Sequence, residues 1–253
     1  MNILVCIKRV PATGARITLT ADERGIDTRN LGFTISPHEE CAVEEAVRLV
    51  EQFGGSVTVL TLGPAEAAEQ LRDALAVGAD RAIHLLTDGA EWDPLATANA
   101  IIEAARAESF DLLLFGNEAA DTGDYQVGIR VAVALGLPCV TGVKGVEVRG
   151  ETVIARRDFG GGWEMYQVPL PAVFTVKEGL NLPRYPSVPG RLRAKKKPLE
   201  QREPARQGGG ATSSLEMIRL ATPPEQGKTV QILGQGVTAV PRIVEILHEL
   251  RLV

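Results

Sequence analysis

The sequence predicts an α/β protein with a mostly parallel, twisted sheet, helices on both faces, a small antiparallel extension and an extended C-terminal arm. Short apolar runs alternate with helical periodicity up to about Leu135, which implies right-handed crossovers and a covered parallel sheet. After Pro138 two neighbouring runs are typical of antiparallel strands. Beyond Pro198 the chain becomes polar and glycine-rich, which indicates an arm that cannot form a core alone.

In the first half, helix and turn signals separate the strands. A helix begins at Pro37, and Gly54 ends it. Pro64 opens a second helix that ends at Gly78, and Asp93 caps a third, which buries one face including Leu95. A fourth helix runs to Leu135. The predicted strands cover residues 3–7, 56–62, 81–86 and 111–115, and a small hairpin joins residues 16–19 to 25–28.

In the second half, strands are predicted at residues 140–148, 152–157 and 172–176, and a last short unit has a strand at 229–233 and a helix at 240–250. We therefore divide the chain into an α/β domain, residues 1–199, and a C-terminal arm, residues 200–253.

Residues 181–198 combine prolines, apolar side chains and cations. Three prolines and Gly190 predict that no regular helix or central strand forms there. Eight basic and two acidic residues lie between Arg184 and Arg206, although the chain carries a net charge of −5. This pattern favours a stiff loop that docks onto another protein, and a solvated basic linker is the alternative.

The composition excludes several classes. Mild acidity argues against a general nucleic-acid binder, and no apolar run is long enough to span a bilayer. No secretory signal precedes the first strand, and three scattered cysteines indicate reduced thiols, so we expect a cytoplasmic protein. The three histidines form no zinc motif, so we expect no metal site, and the motifs that give a hydrolase its nucleophile or a kinase its phosphate-binding loop do not occur.

The carboxyl ends of the parallel strands are the expected ligand site. The residues there are Cys6, Leu62, Gly116 and Asn117, and a loop from Asp121 leads into the fourth helix. A helix N-terminus suits a phosphate, and we expect Gly123 and Gly128 to allow close approach of the backbone. An ordinary turn and helix cap would explain the same residues.

Seven phrases in order give the chain a resemblance to the beta subunit of the electron transfer flavoproteins over nearly its whole length. The most specific are G-A-D-R-A-I-H (residues 78–84) and L-N-L-P-R-Y-P-S-V-P-G-R-L-R-A-K-K-K-P (residues 180–198). The others are V-C-I-K-R-V-P, S-P-H-E-E-C-A-V-E-E-A-V-R-L, D-L-L-L-F-G-N-E-A-A-D, G-G-G-W-E and L-P-A-V-F-T-V.

The resemblance implies an adenine-nucleotide alpha-hydrolase-like fold and a heterodimer. The alpha subunit would hold most of an FAD, and this subunit would bind a structural AMP. The complex would be an electron carrier that accepts electrons from acyl-CoA or other flavin dehydrogenases and passes them to a downstream quinone reductase.

The resemblance also assigns the nucleotide site. Cys6 and Leu62 would offer backbone contacts to the adenine. The base or ribose would be lined by Ser36, Pro37, His38 and Glu39, and the ribose and phosphate would be held by Asp121, Thr122, Gly123, Asp124, Tyr125, Gln126 and Val127. Where many AMP-binding relatives have Asn-Gln-Thr, this chain has Tyr125-Gln126-Val127, and its Gln-Val-Gly ending resembles bifurcating complexes with a second FAD. We expect AMP, with a second FAD as the alternative.

Further roles follow from the same resemblance. Thr13 and His38 occupy positions where the family has aromatic residues near the flavin, and Glu164 matches a glutamate that pairs with an alpha-subunit arginine and gates domain motion. Beginning a helix is the alternative role for His38. Partner docking would involve Val188, Leu192, Lys195, Lys196 and Lys197. Trp163, which directly precedes Glu164, is expected to pack either at the subunit interface or in the core. A stand-alone nucleotide-binding protein of the universal-stress type is a further functional alternative.

Overall fold

A nine-stranded sheet forms the centre of the fold in a computed structural model that describes residues 1–90, 92–204, 217–224 and 230–253. The strands of the described residues are β1 (Asn2–Cys6), β2 (Arg9–Pro11), β3 (Phe33–Ile35), β4 (Ser56–Gly63), β5 (Arg81–Leu86), β6 (Leu112–Gly116), β7 (Cys139–Arg149), β8 (Thr152–Phe159), β9 (Gly162–Pro169), β10 (Ala172–Val176) and β11 (Leu199–Arg202). Their α-helices are α1 (Pro37–Phe53), α2 (Ala68–Val77), α3 (Pro94–Arg106), α4 (Val127–Leu135), α5 (Val188–Ala194) and α6 (Val240–Glu249).

The strand order is β11-β5-β4-β1-β6-β10-β7-β8-β9. The pairs from β11 to β7 are parallel, whereas β8 and β9 continue the sheet in antiparallel fashion. Strands β2 and β3 form a separate antiparallel pair. The predicted fold class, a mostly parallel sheet with an antiparallel extension, is confirmed.

Helices cover both faces of the parallel strands. The apolar sides of α1 and α2 pack in one core cluster, and those of α3 and α4 pack in the other. Local signals act as predicted: Asp93 accepts the Ala96 N–H at 2.7 Å to cap α3, and Gly54 and Gly78 end α1 and α2. These helices fix the positions of the loops at the carboxyl edge of the sheet.

Some details of the first half differ from the prediction. The hairpin expected at residues 16–28 is reduced to one isolated antiparallel bridge between Leu19 and Ile26. Leu95 is exposed because it lies outside the buried face of α3. After Pro64 the chain first forms a short 3₁₀ turn, Ala65–Ala67, and α2 follows it.

Two edge strands were not predicted. Most side chains of β9 are exposed, and Val168 is its one buried residue, so β9 lacks the apolar alternation that would reveal it. Strand β11 is equally polar, yet it pairs with β5 in parallel register. Because β11 runs through Arg202, it crosses the boundary that we placed between residues 199 and 200.

The prediction that residues 181–198 contain no regular helix is wrong. Ser187 caps α5 by accepting the Gly190 N–H at 3.1 Å, and Pro189 lies in the first turn, where a proline costs no helical hydrogen bond. Gly190 lies directly against α2, since a Cβ there would be 2.6 Å from the carbonyl oxygen of Ala76. The segment is therefore a short helix packed on the α/β body.

The C-terminal part is partly as expected. Residues 230–233 are not in a strand, which corrects the prediction for that stretch, and Thr229 lies outside the described residues. The predicted helix at 240–250 is confirmed as α6. None of the residues of α6 is buried, although Val240, Ile243 and Val244 lie at helical spacing. Its apolar side is thus uncovered by the described part of this chain.

Candidate functional site

The candidate site is the crevice between β1 and β6. These neighbouring strands carry connections to opposite faces: β1 leads to α1, and β6 leads to α4. Such a switch in direction leaves the carboxyl ends of two strands open, and ligands of parallel sheets bind there. We call this place the switch-point crevice; it lies among the segment after β1, the first turn of α1 and the loop of residues 117–126.

Lys8 and Glu39 join the three segments around the switch-point crevice. The main-chain N–H of Lys8 donates to the Glu39 carboxylate on α1. The Lys8 ammonium contacts Asp121 at 2.8 Å and the Thr122 hydroxyl at 3.4 Å. Lys8 was not among the predicted site residues, although a lysine directly after the predicted strand 3–7 was a usable signal.

The loop that follows β6 is tightly turned. Asp121 accepts the N–H of Thr122 at 2.8 Å, and Gly123 donates to the carbonyl of Ala119 at 2.9 Å. Gly123 and Tyr125 both have positive φ values, +61° and +58°, and Tyr125 is exposed. A glycine adopts this conformation without strain, whereas a tyrosine does so rarely, so the loop is held in an unusual shape.

The N-terminus of α4 offers free donors. Gln126 precedes the helix but does not cap it, because its side-chain oxygen accepts from the Arg130 guanidinium at 2.8 Å. Gly128 lies tightly against the sheet, because a Cβ there would lie 2.8 Å from Thr175 and 3.1 Å from Phe115. Gly128 thus lets α4 pack on the sheet, and the uncapped first turn remains suited to an anion. The close approach of a ligand to Gly128 stays a prediction.

The residues expected to surround the base lie at the same edge. Ser36 is 1% exposed, and its hydroxyl oxygen accepts the Ala120 N–H at 3.2 Å. Cys6 is buried, and burial, followed by the nearby Glu39, raises the pKa of its thiol. Leu62 is half-buried near the end of β4. Pro37, the first residue of α1, fixes the backbone that follows Ser36.

Gly116 and Asn117 form the end of β6. A Cβ on Gly116 would lie 2.7 Å from the Glu39 Cγ, so only glycine fits beside that side chain. Asn117 donates its N–H to the carbonyl of Val176 at 2.9 Å, and its side-chain oxygen accepts from the Thr175 hydroxyl at 2.8 Å. Both residues therefore shape the floor of the switch-point crevice.

The two residues expected near a flavin differ in their surroundings. Thr13 is exposed. His38 is half-buried in the first turn of α1, and its Nδ1 atom is buried without a hydrogen-bond partner among the described residues. Burial lowers the pKa of His38, with a smaller opposing effect from Glu118. Burial thus favours the neutral form of His38, and its Nδ1 atom is available to a further partner.

Glu164 on β9 is engaged within this chain. Its carboxylate contacts the Arg157 guanidinium at 2.6 Å and accepts from the Tyr166 hydroxyl at 2.7 Å. These two hydrogen bonds, the Tyr166 bond foremost, lower the pKa of Glu164. The neighbouring Trp163 is exposed and lies against Arg156, whose guanidinium is 4.5 Å from its ring, so the expectation of core packing is wrong.

The predicted docking residues lie on and after α5. Val188 is 74% exposed and Leu192 is 59% exposed. Lys195 and Lys196 are also exposed and form no ion pair among the described residues. Lys197 differs, because its ammonium points inward and donates to carbonyls at the end of α2, at 2.5 Å from that of Ala79. Its charge is used inside this chain rather than presented to a partner.

The segment before α5 is fixed to α1. The Arg184 guanidinium contacts Glu44 at 2.9 Å and Glu51 at 2.6 Å, which raises the pKa of Arg184 and lowers that of Glu51. Asn181 donates to Glu45 at 2.9 Å and to the carbonyl of Cys41 at 3.0 Å. The exposed apolar side chains of α5 are thus presented on a rigid support.

A second set of contacts holds α5 to α2. Arg72 donates to the carbonyl oxygens of Ala194 and Lys197, at 2.6 Å and 2.8 Å, and so caps the end of α5. Arg191 pairs with Asp73 at 3.1 Å. Nothing in the sequence around these residues marked the pairing, because the partners lie more than a hundred residues apart.

The described residues contain neither a candidate metal-binding cluster nor a candidate membrane-spanning helix. In residues 1–90, 92–204, 217–224 and 230–253, no group of three or more His, Cys, Asp or Glu side chains is placed to hold a metal ion. None of the helices in these ranges is long and apolar enough to cross a membrane. All three cysteines are free thiols.

Comparison with known proteins gives one consistent family. The model of the electron transfer flavoprotein domain matches residues 25–207. The electron transfer flavoprotein subunit beta of Bacillus subtilis is 40% identical over 205 residues, which are 80% of this chain and 79% of that protein. The human subunit beta is 36% identical over 92% of each chain. That of Syntrophomonas wolfei is 35% identical over 97% of this chain and 95% of its own length.

Proposed function

Since this chain belongs to the electron transfer flavoprotein family, among its beta subunits, we propose that it is one half of a heterodimeric electron carrier. An alpha subunit would hold most of an FAD, which carries the electrons when it is bound. The complex accepts electrons from acyl-CoA or other flavin dehydrogenases and passes them to a downstream acceptor such as a quinone reductase. The family match over residues 25–207 is the observation that carries this proposal.

The switch-point crevice would hold a structural AMP. The uncapped first turn of α4 offers N–H groups to a phosphate, and Lys8 supplies a cation at the same loop. Both fit an anionic nucleotide. The phosphate and ribose would lie against residues 121–127, and the adenine against the backbone of Cys6 and Leu62 and the segment 36–39.

His38 and Glu164 would face the shared flavin. The buried Nδ1 atom of His38 has no partner among the described residues, which fits a group supplied by the flavin or the alpha subunit. Arg157 and Tyr166 keep Glu164 charged and oriented, so an arginine of the alpha subunit would bind it by sharing or replacing Arg157. Thr13 contributes no charge, and its exposed position leaves room for the partner.

Helix α5 would dock the electron donor. Val188 and Leu192 are the apolar contacts, and Lys195 and Lys196 increase the rate of encounter with an acidic partner surface. A small apolar anchor gives weak and exchangeable binding, as a carrier requires. The uncovered side of α6 would pack on the alpha subunit as part of the C-terminal arm.

Two alternatives make different predictions. A bifurcating complex would hold a second FAD in the switch-point crevice, and the Gln126-Val127-Gly128 ending favours it. A stand-alone nucleotide-binding protein of the universal-stress type would have no use for the exposed apolar residues of α5 and α6.

Extraction of the co-expressed complex separates the three functions. The chain is purified with its alpha subunit, denatured, and the released FAD and AMP are counted per heterodimer. The proposal predicts one FAD and one AMP. Two FAD without AMP would replace it by the bifurcating form, and a homodimer that carries nucleotide but never binds the alpha subunit would replace it by the stand-alone protein.

A further inference from the structure

Glu39 is a buried carboxyl at the centre of the switch-point crevice. It is the third residue of α1 and is 6% exposed. An acidic residue in the first turn of a helix is usually explained by the helix dipole, and such a residue normally faces water. This one instead faces the ends of the two strands that separate at the switch point.

The contacts of Glu39 hold these strand ends together. Its carboxylate accepts the main-chain N–H of Lys8, the second residue after β1. Its Cγ and Oε1 lie so close to Gly116 that a Cβ there would be 2.7 Å and 3.2 Å away. The side chain therefore spans from the end of β1 to the end of β6, directly beneath the loop that begins after Gly116.

The carboxyl of Glu39 forms no ion pair among the described residues. The titratable groups that face it among the described residues are Cys6 on β1, Lys8 after β1, and Asp121 in the loop after β6. Burial raises the pKa of Glu39 to about 8; the Lys8 N–H and ammonium oppose this change, and Asp121 adds to it. The Lys8 ammonium is itself paired with Asp121.

We propose that Glu39 is a positioning residue that makes anion binding in the switch-point crevice depend on pH: its protonated form permits a nucleoside monophosphate to bind, and loss of that proton to solvent weakens binding. This inference rests on the proposed function, because it concerns the same crevice. The reason is electrostatic. A buried negative charge on Glu39, added to that of the solvent-exposed Asp121, disfavours a phosphate at the adjoining loop, and by linkage the bound phosphate favours the protonated carboxyl.

The experiment uses the purified heterodimer freed of its bound nucleotide, with AMP as the probe. Affinity is measured by calorimetry from about pH 7 to about pH 9.5, above the range in which a phosphate monoester titrates, near pH 6. Wild-type affinity should fall above about pH 8, towards a limit of tenfold per pH unit, because one proton is linked to binding.

Two variants test whether Glu39 is the group whose loss of a proton weakens AMP binding. Glu39→Gln keeps the shape and an oxygen for the Lys8 N–H but has no proton to lose, so its affinity should stay high and flat with pH. Glu40→Gln is the matched control, because Glu40 is the next residue and is half-buried. Its carboxylate accepts a 3.4 Å hydrogen bond from the Thr34 hydroxyl, which lies outside the crevice. It should keep the wild-type profile.

Each other outcome overturns the inference. A flat wild-type profile, or equal profiles for wild type and Glu39→Gln, rejects the role of Glu39 while AMP binding itself stands. Failure of AMP to bind at any pH rejects the nucleotide function as well. If Glu39→Gln does not assemble, calorimetry of the wild type in buffers of different ionisation enthalpy decides: about one proton taken up per AMP near pH 9 is predicted, and none refutes the inference.

Discussion

Removal of the two apolar side chains of α5 should weaken docking of the donor without affecting the fold. Val188→Ala removes two carbon groups and Leu192→Ala removes three, each worth about 0.8 kcal/mol when fully buried. Scaled by the exposed fractions, 74% and 59%, the double variant should lose roughly 2.5 kcal/mol of binding free energy, or about sixtyfold. This loss corresponds to complete burial of both side chains by the dehydrogenase.

The assay is stopped-flow reduction of the heterodimer flavin by an acyl-CoA dehydrogenase at increasing dehydrogenase concentration. The half-saturating concentration should rise by the calculated factor, and the limiting rate should not change, because neither residue contacts the flavin in the proposed arrangement. The free energy of unfolding should stay within about 0.5 kcal/mol of wild type, since both side chains are exposed.

Val133 supplies the matched control for this experiment. It is 76% exposed on α4, so Val133→Ala removes the same two carbon groups as the single variant Val188→Ala, from a surface outside the docking helix. An unchanged half-saturating concentration in the α5 double variant would refute the docking role. An equal rise in Val133→Ala would show that the effect is not specific to α5.

Three further predictions concern the supports of α5 and the arm. Arg184→Met should lower the unfolding free energy by about 1–2 kcal/mol after allowance for solvent screening, because buried Glu44 loses its ion pair and keeps the main-chain N–H of residue 184. Since Arg184 lowers the pKa of Glu51, the part of the wild-type advantage that Glu51 contributes should be full above about pH 5 and be lost as the pH falls through its folded-state pKa; an advantage in urea melts that does not shrink in acid would contradict this. Gly190→Ala should cost about 1–3 kcal/mol, because the new Cβ meets the backbone of α2, whereas an unchanged melt would reject that contact. Deletion of α6 should leave the unfolding of the α/β body unchanged but weaken binding of the alpha subunit by gel filtration, and undiminished assembly would exclude the arm from the interface.

The sequence predicted the parallel body well because its signals are local. Continuous apolar runs gave β1, β4, β5, β6 and β10, while Pro37 and the Asp93 cap gave the starts of α1 and α3. It missed β9 and β11 because strands at a sheet edge contact few core residues and need little apolar surface. It missed α5 because prolines were taken to exclude a helix, although a first turn tolerates them.

The candidate site was predicted in composition but not in geometry. The strand-end rule gave Cys6, Gly116 and the loop from Asp121, all of which lie at the switch-point crevice. The inward direction of Glu39 and Lys197 was not predictable, since charged residues on a helix or loop are usually solvated. Tertiary packing alone fixes where such side chains point.

The central claim is that this chain shares a flavin with an alpha subunit, and flavin occupancy tests it most directly. The chain is purified alone and in complex with the alpha subunit, and bound FAD is measured from the visible absorbance spectrum of each sample. We predict little FAD in the isolated chain and one shared FAD in the heterodimer. Tight stoichiometric FAD in the isolated chain, or a colourless protein that does not bind the alpha subunit, would contradict the claim.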